Sequence, residues 1–355
     1  MNAKERVRRA ALYQTPDRIP VGFEAIDTVK KNLMAHYGLE DVYDLYEKYD
    51  ADIVAIDAKY VGRKLKTYTN EQGQTVFENF WGHEDTQIVT ENDSYLSTSY
   101  YPFNNVSSIE EIDAYRWPST DDFDYSVITE LVHRFPDKAI VIGHEGSFQY
   151  VTYLINMEEF FVLMVDEPEI AQHLLDKMVE FELAHYRKMF EAGEGKIDIL
   201  RVHDDYGTQQ SLLFSVELWR TFFKENTKKL VDLAHSFGAL YQQHSCGAIE
   251  PLIDDFIQCG VDILEPLQKV NGLEPERLKE KYQDRIAFYG GIDTQTIIPF
   301  GTVQDVTNEV KRYTSALNTD KGGYILMASQ WFEVDAPFAN IEAIYAPELR
   351  EMPKH

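Results

Sequence analysis

The feature that most constrains the fold of this chain is a repeated alternation of short apolar segments with longer amphipathic ones. The apolar segments show little alternation between apolar and polar residues, which is typical of parallel strands that are buried on both faces. They cover residues 19–24, 52–57, 139–145, 197–204, 240–246, 261–266, 286–291 and 324–329. Strands that alternate with helices in this number predict an α/β fold, the (β/α)8 or TIM barrel.

Helical periodicity separates many of these predicted strands. It is clearest over Pro168–Ala192, 216–237, 249–258 and Val303–Leu317. Thr302 and Asp305 have the spacing of a capping box, which predicts that a helix begins there, and Ser108 and Glu111 share that spacing before a shorter helix. A doubly wound parallel sheet is the competing fold, but no Gly-x-Gly-x-x-Gly motif follows any predicted strand.

Residues 61–101 interrupt the alternation. They are rich in Thr and Tyr, and Asn70-Glu-Gln-Gly73-Gln has the composition of a turn between two extended segments, 65–69 and 75–80. This pattern predicts a β-hairpin that is inserted after the second strand. Since no low-complexity linker divides the chain, we expect residues 1–355 to form a single barrel domain that carries this insertion.

The composition excludes several classes of partner. The chain has 34 basic and 60 acidic residues and a formal net charge of −26, so its surface repels nucleic acids and anionic membranes. No apolar run approaches the ~20 residues that span a bilayer, and the first residues lack the apolar stretch of a signal peptide. The two cysteines, Cys246 and Cys259, do not make a disulfide framework. We therefore expect a cytoplasmic protein.

The fifth apolar segment ends in Tyr241-Gln-Gln-His244-Ser-Cys246-Gly247. Residues i and i+2 of a strand point to the same side, so the imidazole of His244 and the thiol of Cys246 are expected to converge. A zinc-type ion accepts both ligands. The alternative is a structural role for Cys246, because a lone cysteine usually behaves as a small buried hydrophobic residue.

Polar side chains collect at the carboxyl ends of the predicted strands, which is where barrel enzymes have their active sites. A histidine stands beside a carboxylate at more than one of these ends, which favours a functional site over ordinary polar loops. For His203 the alternative is a satisfied core histidine, and for Asp293 it is the cap of the following helix. The ends carry Glu24, Asp57, His144, Glu145, His203, Asp204, Asp205, His244, Cys246, Glu265, Asp293, Gln330 and Trp331.

Together, several of these motifs resemble the uroporphyrinogen decarboxylase-like superfamily, in the right order over nearly the whole chain. They are Pro16-Asp17-Arg18-Ile-Pro20, Asp204-Asp205-Tyr206-Gly207-Thr208-Gln209, Ser215-Val-Glu-Leu-Trp-Arg220, His244-Ser-Cys246-Gly247, Gly290-Gly291-Ile-Asp293 and the segment 337–345. True decarboxylases of this superfamily bind the substrate carboxylates with an Arg-rich segment near the N-terminus. Here residues 20–27 contain Glu24 and Asp27 and no arginine, which argues against an octa-anionic substrate.

The other branch of the superfamily contains methylcobalamin:coenzyme M methyltransferases and related corrinoid-dependent enzymes, and this chain resembles that branch more closely. The resemblance implies a zinc ion on His244 and Cys246, cobalamin that is supplied by a partner corrinoid protein, and a small thiol or methylated compound as substrate. The family's third ligand, a cysteine after the last strand, is replaced by Gln330. Gln330, Glu145 or Asp204 is therefore expected to supply the third contact.

The remaining expected roles also follow from this resemblance. Polar groups are expected to orient the substrate, and aromatic residues to line its pocket. The first set is Asp57, His203, Asp205 and Asp293, and the second is Tyr206, Tyr289 and Trp331. The alternatives are a decarboxylase of a tetrapyrrole or smaller acid, with Asp57 or Asp204 stabilising a protonated pyrrole, and a non-catalytic corrinoid- or metal-binding protein. Formation of a homodimer is left open.

Overall fold

The computed structural model describes residues 1–90 and 94–352. Its helices are α1 (Ala3–Ala11), α2 (Asp27–Tyr37), α3 (Asp44–Lys48), α4 (Ile109–Asp113), α5 (Ser126–Arg134), α6 (Ser147–Leu154), α7 (Met157–Asp166), α8 (Pro168–Ala192), α9 (Val216–Phe222), α10 (Lys224–Ser236), α11 (Ile253–Cys259), α12 (Pro275–Tyr282), α13 (Ile297–Phe300), α14 (Val303–Leu317) and α15 (Phe338–Ile344). Short 3₁₀ helices cover Thr120–Asp122, Glu250–Leu252 and Pro347–Leu349. None of the helices in these two ranges is both long and apolar enough to cross a bilayer.

The strands are β1 (Ile53–Ala55), β2 (Lys59–Tyr60), β3 (Thr67–Thr69), β4 (Thr75–Glu78), β5 (Glu84–Val89), β6 (Ser94–Tyr100), β7 (Phe123–Asp124), β8 (Ala139–Ile142), β9 (Ile199–His203), β10 (Leu240–His244), β11 (Ile263–Glu265), β12 (Ala287–Tyr289) and β13 (Tyr324–Ile325). Within the described residues, seven of them form one parallel sheet in the order β1-β8-β9-β10-β11-β12-β13. Every residue of β8, β10, β11 and β12 is buried, because helices cover the sheet. The carboxyl ends of these strands therefore lie side by side along one edge of the sheet.

The first predicted strand, residues 19–24, is held only by single bridges. Val21 pairs with Leu326, and Ala25 pairs with Phe332, both in parallel orientation. On its other side the Val21 carbonyl accepts a hydrogen bond of 2.8 Å from the Asp52 amide. A continuous ladder does not form because Pro20 has no amide hydrogen, and because the Val21 amide donates to the Asp52 carboxylate at 2.8 Å.

Residues 61–101, for which the sequence predicts a hairpin, contain a larger antiparallel sheet in the structure. In the described part of this region β3, β4, β5 and β6 pair in chain order. The predicted turn joins β3 to β4, with the Gly73 amide bonded to the Asn70 carbonyl at 3.0 Å and Gly73 at a φ of 79°. β5 and β6 are not predicted from the sequence because they lack the alternation of apolar and polar residues. Most of their residues are at least partly exposed.

The long helices follow the sequence closely, and the shorter ones less so. The predicted bounds of α8 and α14 are confirmed, and Thr302 and Asp305 form the expected capping box. The predicted helix over 216–237 is present as two helices, because it is interrupted at the single residue Phe223, which has a φ of −118° and lies between α9 and α10. The segment 249–258 begins with a 3₁₀ turn that has Pro251 near its start, and only then continues as α11.

Candidate metal centre

His244 and Cys246 converge at the carboxyl end of β10, as their spacing predicts. His244 is the last residue of the strand, and its Nε2 atom lies 3.5 Å from the Cys246 Sγ atom. The imidazole is buried, whereas the thiol is half-buried. The sulfur donor therefore comes from the loop that follows β10, two residues beyond the last strand residue, and still lies beside the imidazole.

Asp205 supplies a third donor atom beside this pair. Its Oδ1 atom lies 3.7 Å from His244 Nε2, and donor atoms of Asp205, His244 and Cys246 all lie within 4.8 Å of one another. The same Oδ1 atom accepts a hydrogen bond of 2.8 Å from the Cys246 amide, which fixes the carboxylate against the loop after β10. From the sequence, Asp205 is expected to orient the substrate, and it is not one of the three residues expected to supply the third contact.

Gln330, the expected third ligand, also reaches the centre. Its Nε2 atom lies 3.5 Å from Cys246 Sγ, and its Oε1 atom accepts a hydrogen bond of 3.2 Å from the Trp331 amide. The amide nitrogen thus faces the sulfur, and a metal ligand would have to be the amide oxygen. Gln330 is placed as a neighbour of the thiol, and a ligand role for it stays a prediction.

A buried charge network supports the opposite side of the His244 ring. His244 Nδ1 lies 3.5 Å from Glu265 Oε1, though without the geometry of a hydrogen bond. Arg201, buried inside the sheet, contacts Glu265 Oε1 at 3.6 Å and is bonded to Glu24. Burial alone would lower the pKa of His244, but Cys246 and the Glu265 carboxylate raise it well above its ordinary value. The network therefore orients the imidazole from its Nδ1 side, opposite the nitrogen that faces the thiol.

His203 lies directly beside His244. The two ring centroids are 4.5 Å apart, and His203 Nε2 is buried without a hydrogen-bond partner among the described residues. Burial and the neighbouring His244 lower the pKa of His203 well below its ordinary value. His203 is therefore a neutral imidazole that flanks the centre, which leaves its predicted orienting role open.

Asp204 points away from the centre, although it neighbours Asp205 in sequence. Its carboxylate accepts hydrogen bonds from the Gln149 amide at 2.8 Å and from the Tyr206 hydroxyl at 2.9 Å. It thus anchors the first turn of α6 to the end of β9. Burial raises the pKa of Asp204 to about 7. A catalytic or ligand role for Asp204 remains a prediction that these contacts do not support.

The residues predicted to line a substrate pocket occupy different environments. Tyr206 is buried in an aromatic cluster that includes Phe148 and Trp219, and it does not face the thiol. Tyr289 is buried inside the sheet, where its hydroxyl has no hydrogen-bond partner among the residues described. Trp331 is exposed, and its Nε1 atom donates to Glu24 at 2.5 Å, so it lies at the rim.

Asp293 is buried after β12 and is engaged by its own loop. It accepts hydrogen bonds from the Gln295 amide at 2.8 Å and from the Thr296 hydroxyl, and Lys269 Nζ lies 3.2 Å away. These bonds stay within the loop, and α13 has Thr296 as its N-cap without a side-chain cap bond, so the carboxylate of Asp293 does not cap that helix. The predicted contact of Asp293 with a substrate is untested.

A second polar cluster lines a cavity of about 490 Å³ between the ends of β1 and β8, the antiparallel sheet and α8. Asp57 Oδ1 and His144 Nε2 are 2.9 Å apart, and Glu145 lines the same cavity. Glu182 and His185 reach it from α8. Burial raises the pKa of Glu182 well above its ordinary value, and burial together with His144 lowers the pKa of His185 to about 3. At pH 7 the His185 imidazole is therefore neutral.

The sequence analysis missed Glu182 and His185. Both lie on α8, which reads as an ordinary amphipathic helix, and both are almost completely buried. The available signal was two polar residues at positions i and i+3 among the apolar residues of the buried face.

Comparison with known proteins places the chain in a family. A family model described as uroporphyrinogen decarboxylase (URO-D) matches residues 92–346. The chain belongs to the uroporphyrinogen decarboxylase family. Among characterised relatives, it is 24% identical over 212 residues to the methylcobamide:CoM methyltransferase MtaA of Methanosarcina barkeri, a match that covers 59% of this chain and 58% of that protein. The resemblance inferred from the sequence motifs is thereby confirmed.

One further relative and one solved structure are also similar to this chain. MtaA from Methanosarcina barkeri strain Fusaro is 26% identical over 177 residues, which cover 50% of this chain and 49% of the relative. The chain thus matches about half to three fifths of the length of these relatives. A solved methyltransferase structure from Methanosarcina mazei superposes with a TM-score of 0.68 at 18% identity and covers 97% of each chain, which shows a shared fold.

Proposed function

We propose that this protein is a corrinoid-dependent methyltransferase. It transfers a methyl group between a cobalamin, carried by a partner corrinoid protein, and a small thiol or methylated substrate. The observation that carries the proposal is the convergence of Cys246 Sγ, His244 Nε2 and Asp205 Oδ1 at the carboxyl ends of β9 and β10. Similarity to two methylcobamide:CoM methyltransferases supports the class of reaction.

The donor set fits a catalytic zinc ion. Zinc in catalytic sites takes three protein ligands from imidazole, thiolate and carboxylate and keeps a further position for substrate. His244, Cys246 and Asp205 provide one of each within 4.8 Å, and we propose Asp205 as the third ligand in preference to Gln330. A zinc ion bound there would lower the pKa of a coordinated thiol or withdraw electron density from a methylated heteroatom.

The other side chains of the centre hold its ligands in place. Glu265 faces Nδ1 of His244, which orients Nε2 toward the thiol. Arg201 keeps Glu265 ionised, because its guanidinium lowers the pKa of that carboxyl against the effect of burial. Gln330 Nε2 contacts the Cys246 sulfur at 3.5 Å. Trp331, at the rim, is placed to contact a substrate.

We further propose that the parallel sheet closes into a (β/α)8 barrel in a single domain, with residues 20–25 as the remaining barrel strand. The support is their bonding on both sides, to Asp52 before β1 and to Leu326 after β13. The antiparallel sheet β3–β6 is then an insertion after the second barrel strand. It forms one side of the opening at the carboxyl ends of the barrel strands. The open side would accept the flat corrinoid of the partner protein.

A decarboxylase is the competing function, since the family model bears that description. A substrate that is rich in carboxylates requires cationic side chains that are free to bind it, and Arg201 is the cation of the centre to consider. Its guanidinium is neutralised by Glu24 and Glu265, so it is not available to a substrate. This pairing and the adjacent thiol and imidazole of Cys246 and His244 favour methyl transfer. A non-catalytic metal- or corrinoid-binding protein would have the same ligands but no turnover.

One set of measurements tests the proposal. Metal in the purified protein is determined by elemental mass spectrometry, and demethylation of methylcobalamin or methylation of cob(I)alamin is followed by its visible spectrum with thiols and methylated compounds. Cys246→Ser and His244→Ala are expected to abolish zinc retention and turnover. Cys259→Ser is the matched control, since that thiol is buried in α11 and contacts the Lys224 carbonyl at 3.7 Å. Full activity in Cys246→Ser would refute the proposal, and zinc binding without turnover would favour the non-catalytic alternative.

A further inference from the structure

The cavity between β1, β8 and α8 contains a cluster of ligand-type side chains that the proposed methyl transfer does not use. Donor atoms of Asp57, His144 and His185 lie within 4.8 Å of one another. They come from the loop after β1, the loop after β8 and the middle of α8, so the tertiary fold alone brings them together. None of them belongs to the set formed by Asp205, His244 and Cys246.

The contacts of the two imidazoles leave suitable nitrogens for an ion. His144 Nε2 lies 2.9 Å from Asp57 Oδ1. His185 Nδ1 is hydrogen-bonded to the Tyr125 hydroxyl at 2.8 Å, so that Nε2 is the nitrogen left to bind an ion. A hydrogen bond on the second ring nitrogen is the usual support of a metal-bound histidine, because it fixes both the tautomer and the ring orientation.

Glu182 is the independent sign that this cavity binds something. It lines the same cavity one helical turn before His185, and it is 1% exposed. Neither of its carboxyl oxygens has a hydrogen-bond partner among the described residues. A buried carboxyl group without a partner costs free energy, so a group that enters the cavity and hydrogen-bonds to Glu182 is stabilised there.

We propose that Asp57, His144 and His185 bind a divalent transition-metal ion, in addition to the ion at His244 and Cys246. Two imidazoles and one carboxylate suit zinc, iron or cobalt, whereas magnesium and calcium prefer oxygen ligands throughout. Three protein ligands leave coordination positions that face the cavity. Glu182 then hydrogen-bonds the water or small polar ligand that occupies such a position.

Cobalt distinguishes the two sites, because only one of them contains sulfur. The full-length chain is freed of metal with a chelator and titrated with Co²⁺. A thiolate-to-cobalt charge-transfer band reports the Cys246 site, and the total of bound cobalt is measured by elemental mass spectrometry after desalting. The wild type is expected to bind about two ions per chain, of which one produces the thiolate band.

Single substitutions test which residues bind the second ion. Asp57→Asn alters an exposed residue, and His185→Phe keeps a ring that stacks on Phe181 at 5.3 Å, so both are expected to fold. Each should retain about one ion and the full thiolate band. Cys246→Ser should retain about one ion without that band. Asp121→Asn, which changes an exposed carboxylate bonded to Lys188, is the matched control and should retain both ions.

The outcomes separate this proposal from the proposed function. A wild type that binds a single ion with the full thiolate band, or an Asp57→Asn variant that still binds two, overturns the second site and leaves the zinc–thiolate centre intact. If the wild type binds one ion without a thiolate band, and if both Asp57→Asn and His185→Phe lose that ion, the second site is supported and the proposed zinc–thiolate centre is contradicted.

Discussion

The buried carboxyl of Glu182 makes a quantitative prediction about stability. Glu182 is 1% exposed, and burial raises its pKa well above the ordinary value of 4.5. In the unfolded chain the same group ionises at that ordinary value. Between the two pKa values the unfolded state releases a proton that the native state retains, so unfolding becomes more favourable as the pH rises. The stability that the protonated carboxyl contributes is complete below the unfolded pKa and is lost above it.

The substitution that isolates this effect is Glu182→Gln, which keeps the shape and removes the proton. In each pH unit above about 4.5 in which native Glu182 stays protonated, the wild type should lose about 1.4 kcal/mol of unfolding free energy relative to the variant. From pH 5 upward the difference should therefore change steadily in favour of the variant, until the pH reaches the raised pKa of native Glu182. Titrating groups that do not interact with Glu182 cancel in this difference, whereas Asp204, whose charge contributes to the raised pKa of Glu182, does not.

The assay is urea denaturation of the metal-free wild type and variant at pH 5, 6, 7 and 8. Glu180→Gln provides the control, because Glu180 is exposed on the same helix and its replacement should change stability equally at every pH. A wild-type to Glu182→Gln difference that is the same at all four pH values would refute the reasoning, since it would mean that the native carboxyl is already ionised.

Three further substitutions test the buried polar groups. Arg201→Met should cost about 3–5 kcal/mol of unfolding free energy, because it leaves two buried carboxylates without their cation; a loss below about 1 kcal/mol by denaturant unfolding contradicts this role. Tyr206→Phe should cost about 1 kcal/mol through the lost hydrogen bond to Asp204, and an unchanged midpoint in urea argues against that bond. Asp205→Asn keeps an oxygen for the Cys246 amide but loses the negative charge, so zinc affinity should fall about tenfold or more in a competition titration, and unchanged affinity excludes Asp205 as ligand.

The parts of the fold and site that the sequence predicts correctly depend on short-range periodicity. The two-residue spacing of His244 and Cys246 predicts their convergence without knowledge of the remaining chain, although β10 ends at His244 and the thiol lies in the loop that follows. The bounds of α8 and α14 follow from Pro168 at the first helical position and from the capping box at Thr302. Local rules of this kind act before tertiary contacts form.

The contacts that the sequence does not predict depend on the path of the backbone after a strand ends. Asp204 and Asp205 are adjacent, yet one anchors α6 and the other turns to the Cys246 amide. Tyr206 was expected at the pocket and lies in the aromatic core, because its hydroxyl is drawn to Asp204 inside that core. Nothing in the spacing of these three residues distinguishes their directions. His185 lies on a helix, so a pattern that is based on strand ends does not predict its position in the cavity.

The charge of the candidate centre argues for Asp205 in the place of the missing cysteine. A divalent ion with one thiolate, one carboxylate and a neutral imidazole has no net charge, which is also the result of two thiolates and an imidazole. An amide ligand from Gln330 would leave one positive charge uncompensated beside the buried Arg201, which contacts Glu265 behind His244. The Asp205 carboxylate is 45% exposed, so it reaches the centre without the full cost of burying a charge. Both the distances and the electrostatics therefore favour the carboxylate as the third ligand.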